Sequence, residues 1–210
     1  KIETTKNKMK NQNIKLTTPV GKAVYPKLIE PDTKFDDNGV FSCRLILNEE
    51  DFNSLNAQIS TWLDAEYERH CKEAGGKKLK RHDSPPLKQN DDGDYEVFAK
   101  QVARRETNKG VLNFSVALFD STGKKINDAP NIGSGSKLRL SVEPHSWNSP
   151  MLGVGYTLRL RAAQVVELVE YTPGGSGSDF GFGSEDGGFV SEDLGDALKD
   201  DLGDDAKVPF

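Results

Sequence analysis

Asp36-Asp-Asn-Gly-Val-Phe-Ser-Cys-Arg-Leu-Ile-Leu-Asn-Glu-Glu-Asp51 carries three structural signals in a row. Asn38-Gly39 is a strong hairpin turn, because such turns need backbone at positive φ. Val40 to Leu47 then alternates, with Phe41, Cys43, Leu45 and Leu47 on one face and Ser42 and Arg44 on the other. That period of two belongs to a strand with one buried and one wet face. Asn48 is a good helix N-cap, and Asp51 sits three residues on, near the helix's positive end. From there Phe52, Leu55, Ile59, Trp62, Leu63 and Tyr67 recur at helical spacing. The spacing predicts an amphipathic helix over Glu49 to Ala74, ended by Gly75-Gly76.

The same alternation recurs on both sides of this stretch. Before it, Ile14 to Tyr25 reads as a first strand, with Pro19 and Gly21 marking an edge or bulge. Glu30-Pro31-Asp32 reads as turn chemistry. After the helix, a loop with Lys77, Lys78, Lys80 and Arg81 runs through Pro85-Pro86 to a turn at Asp91-Asp92-Gly93. Further strands are expected over Tyr95 to Arg104, Lys137 to Glu143 and Tyr156 to Tyr171. Another is expected over Gly110 to Asp120, with Leu112, Phe114, Val116 and Leu118 on its apolar face. Five or six half-wet strands and one early helix predict a mainly β protein, an antiparallel barrel or sandwich. A five-stranded Greek-key barrel with one long helix inserted after the second strand is the preferred form.

Charge divides the chain in two. From Pro173 onward ten Asp and Glu stand against Lys199 and Lys207, a net of −8; the whole chain is −5, so residues 1–172 carry +3. Pro173-Gly-Gly-Ser-Gly-Ser178 has the composition of a flexible linker, and the residues beyond it are too acidic and glycine-rich to build a core. The expected organisation is a folded domain over 1–172 and an acidic tail over 173–210 that ends on a lone aromatic, Phe210. A mildly basic body joined to an acidic tail suggests a protein that handles a polyanion and carries an imitation of it. No apolar run approaches the ~18 residues that span a membrane. Lys1 to Lys15 is polar and lysine-rich, unlike a signal peptide. Cys43 and Cys71 are the only cysteines, and they read as reduced thiols.

Catalysis finds little support. His70, His82 and His145 fall in no metal-ligand spacing, and neither a metal nor another cofactor is expected. Gly133-Ser-Gly-Ser-Lys137 lacks the spacing of a phosphate loop and precedes a strand, so it reads as a turn. Nucleic-acid binding finds more. Single-strand binders need cations along a groove and aromatic faces on which bases stack. The wet faces of the strands offer Arg44, then Phe98, Lys100 and Arg104, then Arg139, then Arg159 and Arg161. Trp147 and Tyr25, the latter beside Lys27, stand in polar contexts and are candidate stacking residues; Trp62, on the helix stripe, is assigned to the core.

Four stretches, in order, point to a family. They are Phe119-Asp-Ser-Thr-Gly-Lys-Lys-Ile-Asn-Asp-Ala-Pro130, Ile132-Gly-Ser-Gly-Ser-Lys-Leu-Arg139, Pro144-His-Ser-Trp-Asn148 and Val165-Val-Glu-Leu168. Together with the long helix, the acidic tail and the terminal phenylalanine, they resemble the replicative single-stranded DNA-binding proteins of podoviruses of the T-seven type. The resemblance implies an OB-fold that binds single-stranded DNA without sequence preference in the cytoplasm of an infected bacterium. It also implies a homodimer, and a tail that docks on phage DNA polymerase and helicase–primase. Asp200, Asp201, Asp204, Asp205 and Phe210 would form that docking segment. His145 stands where the family pattern has an aromatic before Trp147. Two rival readings remain open: an RNA-binding OB-fold protein, and an interaction adaptor that binds no nucleic acid.

Overall fold

The computed structural model describes residues 14–171, and these form ten strands and one helix. Five long strands make the frame: β2 (Gly21–Asp32), β3 (Val40–Leu47), β5 (Tyr95–Val102), β9 (Lys137–Ser149) and β10 (Gly153–Glu167). β2 pairs with β3, β3 with β5, β9 with β10 and β2 with β9, all antiparallel, while β5 pairs with β10 in parallel. The order β9-β2-β3-β5-β10 therefore returns to β9, and the sheet closes into a five-stranded barrel. This is the OB-fold arrangement. β1 (Leu16–Thr17) pairs with β9, β4 (Leu87–Gln89) with β5, and β8 (Ala117–Phe119) with β10.

Closure follows from the alternation. Along β3, Phe41, Cys43, Leu45 and Leu47 are buried and Ser42, Arg44 and Ile46 are not. Their inward partners are Val97 and Ala99 of β5, Leu158 and Leu160 of β10, and Leu138, Leu140 and Val142 of β9. Cys43 is fully enclosed, and burial pushes its thiol up to about 12. It is a core side chain and no nucleophile.

The helix, α1 (Glu49–Glu73), begins where the sequence places it. The Asn48 side chain accepts the Asp51 N–H at 2.8 Å, and Glu49, Glu50 and Asp51 lie at the positive end of its dipole. Its C-terminus closes in a Schellman motif: Gly76 N–H donates to Cys71 C=O and Gly75 N–H to Lys72 C=O, with both glycines at positive φ. Phe52, Leu55, Ile59 and Trp62 are buried against the barrel, Trp62 edge-on to Tyr156 at 6.2 Å. One turn later the buried stripe turns polar, at Glu66 and His70.

Four expectations need correction. The strand expected over Ile14 to Tyr25 breaks at Thr18, whose N–H and hydroxyl bond to the Leu140 main chain. It resumes at Gly21 and runs straight through Glu30-Pro31-Asp32, which is strand rather than turn, because Asp32 still pairs with Val40. The strand expected over Gly110 to Asp120 is two pieces. β7 (Gly110–Asn113) pairs only with β6 (Arg104–Thr107), in a ribbon exposed on both faces, where Leu112 is 49% exposed. The ribbon ends where Phe114 N–H bonds to Ala103 C=O, and only Val116 and Leu118 beyond it enter the core. Of the four alternating apolar residues, Leu112 thus lies on β7, Leu118 on β8, and Phe114 and Val116 on the link between them. β9, expected to stop at Glu143, continues to Ser149.

Candidate nucleic-acid interface

The outward face of β3, β5, β10 and β9 is continuous, and its register can be read across the strands. Arg44 lies opposite Phe98, and Ser42 opposite Lys100. Lys100 is level with Arg159, and Arg159 lies opposite Glu143. Two residues along, Thr157 lies opposite His145, and two further Gly155 lies opposite Trp147. Strands spaced about 4.8 Å apart therefore carry Arg44, Phe98, Lys100, Arg159, His145 and Trp147 across roughly 15 Å of one surface. Polar and aromatic side chains stand together here because every second residue of each strand is committed to the core.

The face is crowded with positive charge. Burial holds Arg159 below the usual arginine value, and the charges of Arg105 and Arg161 add to that, partly offset by Glu143. Burial also holds His145 below its ordinary value, with Arg159 and Arg105 as the next causes, so its ring is neutral at pH 7. Two carboxylates temper the field: Glu143 takes Arg161 at 2.7 Å, and buried Glu96 takes Arg44 at 3.3 Å. Arg44 also lies over the Phe98 ring, 5.0 Å from its centroid, and fixes the aromatic's position on the face.

Trp147 is half-buried and lies outside the core. Its six-membered ring covers Gly155 so closely that a Cβ there would come within 2.5 Å of it. His82, from the loop after α1, meets its edge with centroids 5.0 Å apart. That loop is tied down by main-chain bonds between His82 and Val154 and between Val154 and Lys80.

The profile of the family described as "Single-stranded DNA-binding protein, Bacteriophage T7" matches residues 20–168, which include every strand of the closed barrel. The chain belongs to this family. Over 130 residues it is 32% identical to the single-stranded DNA-binding protein of Escherichia phage T7, a stretch covering 60% of this chain and 55% of that protein. Over 88 residues it is 36% identical to the protein of that name from Enterobacteria phage T3, covering 40% of this chain and 37% of that protein. The aligned stretches thus span about half, or less, of the relatives' own lengths. The fold superposes on the crystal structure of gp2.5, a single-stranded DNA binding protein encoded by bacteriophage T7. The TM-score is 0.68 at 24% identity, covering 85% of this chain and 99% of that one. It also superposes on the single-stranded DNA-binding protein of bacteriophage Enc34 in complex with ssDNA, with a TM-score of 0.57 at 14% identity, covering 78% and 94%.

Against this family background, not all the residues singled out in the sequence come together. Arg44, Phe98, Lys100, His145, Trp147, Arg159 and Arg161 share the face just described. Arg139 faces the same way further along β9, beyond Ser141 and Glu143, and lines a separate hollow of about 350 Å³ with Phe119 and Gln164. Arg104 leaves the face: it lies on the β6–β7 ribbon and is paired with Glu106 at 2.9 Å. Its neighbour Arg105, not singled out, is the one whose charge reaches Arg159 and His145. Tyr25 and Lys27 sit on β2, one strand beyond Arg44, around a bulge between Val24 and Lys27. Asp200, Asp201, Asp204, Asp205 and Phe210 lie outside the described residues, as does the boundary at Pro173.

Sequence reasoning also missed the support beneath His145 and Trp147. Ser146, between them, points inward and donates to Glu66 of α1 at 2.6 Å. Its oxygen accepts from Arg69 at 3.1 Å, and His70 Nε2 lies 3.1 Å from both the Ser146 oxygen and the Arg69 guanidinium. Arg69 also grips Glu66 at 2.7 Å. The signal was present, since the helical stripe continues through Glu66 and His70, but polar residues at apolar spacing do not announce a buried network.

Proposed function

We propose that this chain binds single-stranded DNA without sequence preference across the outer face of β3, β5, β10 and β9. The observation that carries the reading is the row from Arg44 to Trp147, where aromatic rings alternate with an over-concentrated set of arginines. Arg44, Lys100, Arg159 and Arg161 would take phosphates, relieving the crowding at Arg159. Phe98 and Trp147 would stack on bases, each stacked base contributing ~1–3 kcal/mol. The face offers ring surfaces and point charges rather than a fixed set of donors and acceptors for base edges, which suits binding that ignores sequence. The family is one of single-stranded DNA-binding proteins, which supports reading the chain as a binder rather than an enzyme. Among the described residues no cluster of His, Cys, Asp and Glu could hold a metal, and no helix is long and apolar enough to cross a membrane.

The finer expectations belong to the same proposal: work in phage DNA replication and recombination in the cytoplasm of an infected bacterium, as a homodimer. The acidic segment after residue 172 would recruit the phage DNA polymerase and helicase–primase, with Asp200, Asp201, Asp204, Asp205 and Phe210 as the contact. Support for this is the charge division of the chain and the family to which it belongs.

The test is a titration with oligo-dT, followed by tryptophan fluorescence at two salt concentrations and repeated with competing duplex and RNA. Binding should favour the single strand of DNA, and log affinity should fall with log salt at ~−0.7 per phosphate contacted. Salt-independent binding, or a preference for duplex, overturns the reading.

A further inference from the structure

We propose that Tyr25 is a pre-set base-stacking site, held out from the barrel by a strained bulge that Ser134 locks. The inference rests on the single-strand reading above and adds to it a site and a positioning residue.

Tyr25 is the only non-glycine residue at positive φ among those described, at 45°. Backbone there favours Gly or Asn, and a bulky side chain is an outlier that its surroundings must enforce. Here the chain carries one of its largest side chains and leaves it 79% exposed. Packing gives no reason for that choice, because an exposed ring gains little from the barrel. A ring presented to something outside the molecule does give one.

The surroundings that enforce the conformation are visible. β2 and β9 pair at Gly21 with Leu138 and at Lys22 with Lys137. The ladder continues through Ala23, which bonds to Ser136 C=O and Gly135 N–H. At Tyr25 the main-chain partner runs out, and the Ser134 hydroxyl accepts the Tyr25 N–H at 2.9 Å instead. Ser134 is itself held. Gly133 N–H bonds to Val169 C=O, and the enclosed Ser136 hydroxyl accepts the Val169 N–H. A Cβ at Gly133 would meet Val169 O at 3.0 Å, so that turn sits directly against the end of β10. The bulge is thus clamped to a fixed loop, and the Ser134 bond to the Tyr25 main chain sets the direction in which the side chain leaves the strand.

The position suits a strand of DNA. Val24, next to Tyr25, is opposite Arg44, and Arg44 is opposite Phe98. Two strand spacings, about 10 Å, separate Val24 from Phe98 across Arg44, and Tyr25 stands one residue further along β2. A single strand leaving Phe98 over Arg44 would reach Tyr25 next.

The experiment uses the full chain, with a labelled dT oligomer and an abasic oligomer of equal length, read by fluorescence anisotropy. Tyr25→Ala should weaken dT binding about five-fold or more, as loss of one stacked base requires, and leave abasic binding unchanged. Tyr25→Phe should bind as the native chain does. Ser134→Ala should weaken dT binding, but add nothing in a Tyr25→Ala background, since its effect passes through the ring. Tyr25→Gly should lose dT affinity while its Tm holds or rises, because glycine releases the strain. Native dT affinity in Tyr25→Ala, or equal losses on both oligomers, overturns the stacking site. If the native chain binds neither oligomer, the single-strand reading itself falls; if it binds both and only the Tyr25 arms fail, that reading stands and this inference alone is lost.

Discussion

Gly155 and Trp147 show how the absence of one Cβ can shape the face proposed to bind DNA. The indole rests where a Cβ would be, so Gly155→Ala must push it outward or shift β10. Overpacking of this kind costs ~1–3 kcal/mol. The expected outcome is a modest fall in Tm with a larger fall in oligonucleotide affinity, read by thermal melts and titration on one sample. Arg159 is the complementary case, where charge rather than shape is concentrated. Arg159→Gln should hold or raise Tm, because burial beside Arg105 and Arg161 already disfavours the charge. DNA affinity should fall, and the log–log salt slope should shrink by ~0.7 if one phosphate contact is lost. His145 adds a pH term. A phosphate beside it would raise its lowered pKa, so the complex takes up a proton. Affinity should therefore strengthen as pH falls from 7 to 6, and that gain should vanish in His145→Asn.

At the scale of elements, α1 and β9 are fastened through Ser146, and the two outward neighbours of that serine are His145 and Trp147. Ser146→Ala removes the hydroxyl that Glu66, Arg69 and His70 share. Leaving such buried groups short of a partner costs ~1–3 kcal/mol, and some of the loss should appear as weaker DNA binding through a misplaced Trp147. His70 gives this joint an acid limit. Burial and the Arg69 charge lower its pKa, while Glu73 and Glu66 pull the other way. A histidine whose folded value lies below its unfolded ~6.5 contributes stability that is complete above that pH. The contribution is lost as pH falls through the folded value. Melts across pH 7.5 to 5 should show Tm dropping from about 6.5 downward, and less so in His70→Gln.

Elements whose two faces differ were legible in the sequence. β3 and α1 stand where alternation and capping put them, and Asn38-Gly39 falls in the loop joining β2 to β3, where Gly39 takes φ 71° and its N–H bonds to Asp36 C=O, a four-residue turn rather than a two-residue Asn-Gly hairpin. Alternation fails where both faces are wet. The β6–β7 ribbon is exposed along its length and lies outside the core, so Leu112 reads like core and is not. It also fails for residues that meet only through closure. His82 reaches Trp147 from a loop with no period at all, and choosing between Arg104 and Arg105 requires knowing which way a ribbon leans.

On the scale of the whole molecule the charge division makes the last prediction. Residues 1–172 carry +3 and the remainder −8, on one chain. If the acids of 173–210 can reach the face proposed to bind DNA, they would compete with DNA at high effective concentration. Deleting Asp179 to Phe210 should raise affinity for oligo-dT, most at low salt, where screening is weakest. Phe210→Ala should leave DNA affinity alone and weaken capture of the polymerase or helicase. An unchanged affinity at low salt after the deletion would remove the competition, though not the binding.

The parallel pairing of β5 with β10 also bears on time. Lys100 and Arg159 become neighbours only when strands 59 positions apart in the chain meet. Pairings of such long range are entropically late and slow to form. The hairpins β2–β3 and β9–β10 can form locally, but neither alone carries the full row of cations. A chain still emerging from the ribosome would therefore hold its arginines apart until β10 is released. In refolding experiments, oligonucleotide binding should recover together with Trp62 burial, because the Trp62 ring meets Tyr156 of the same β10; binding regained while Trp62 is still exposed would contradict this order.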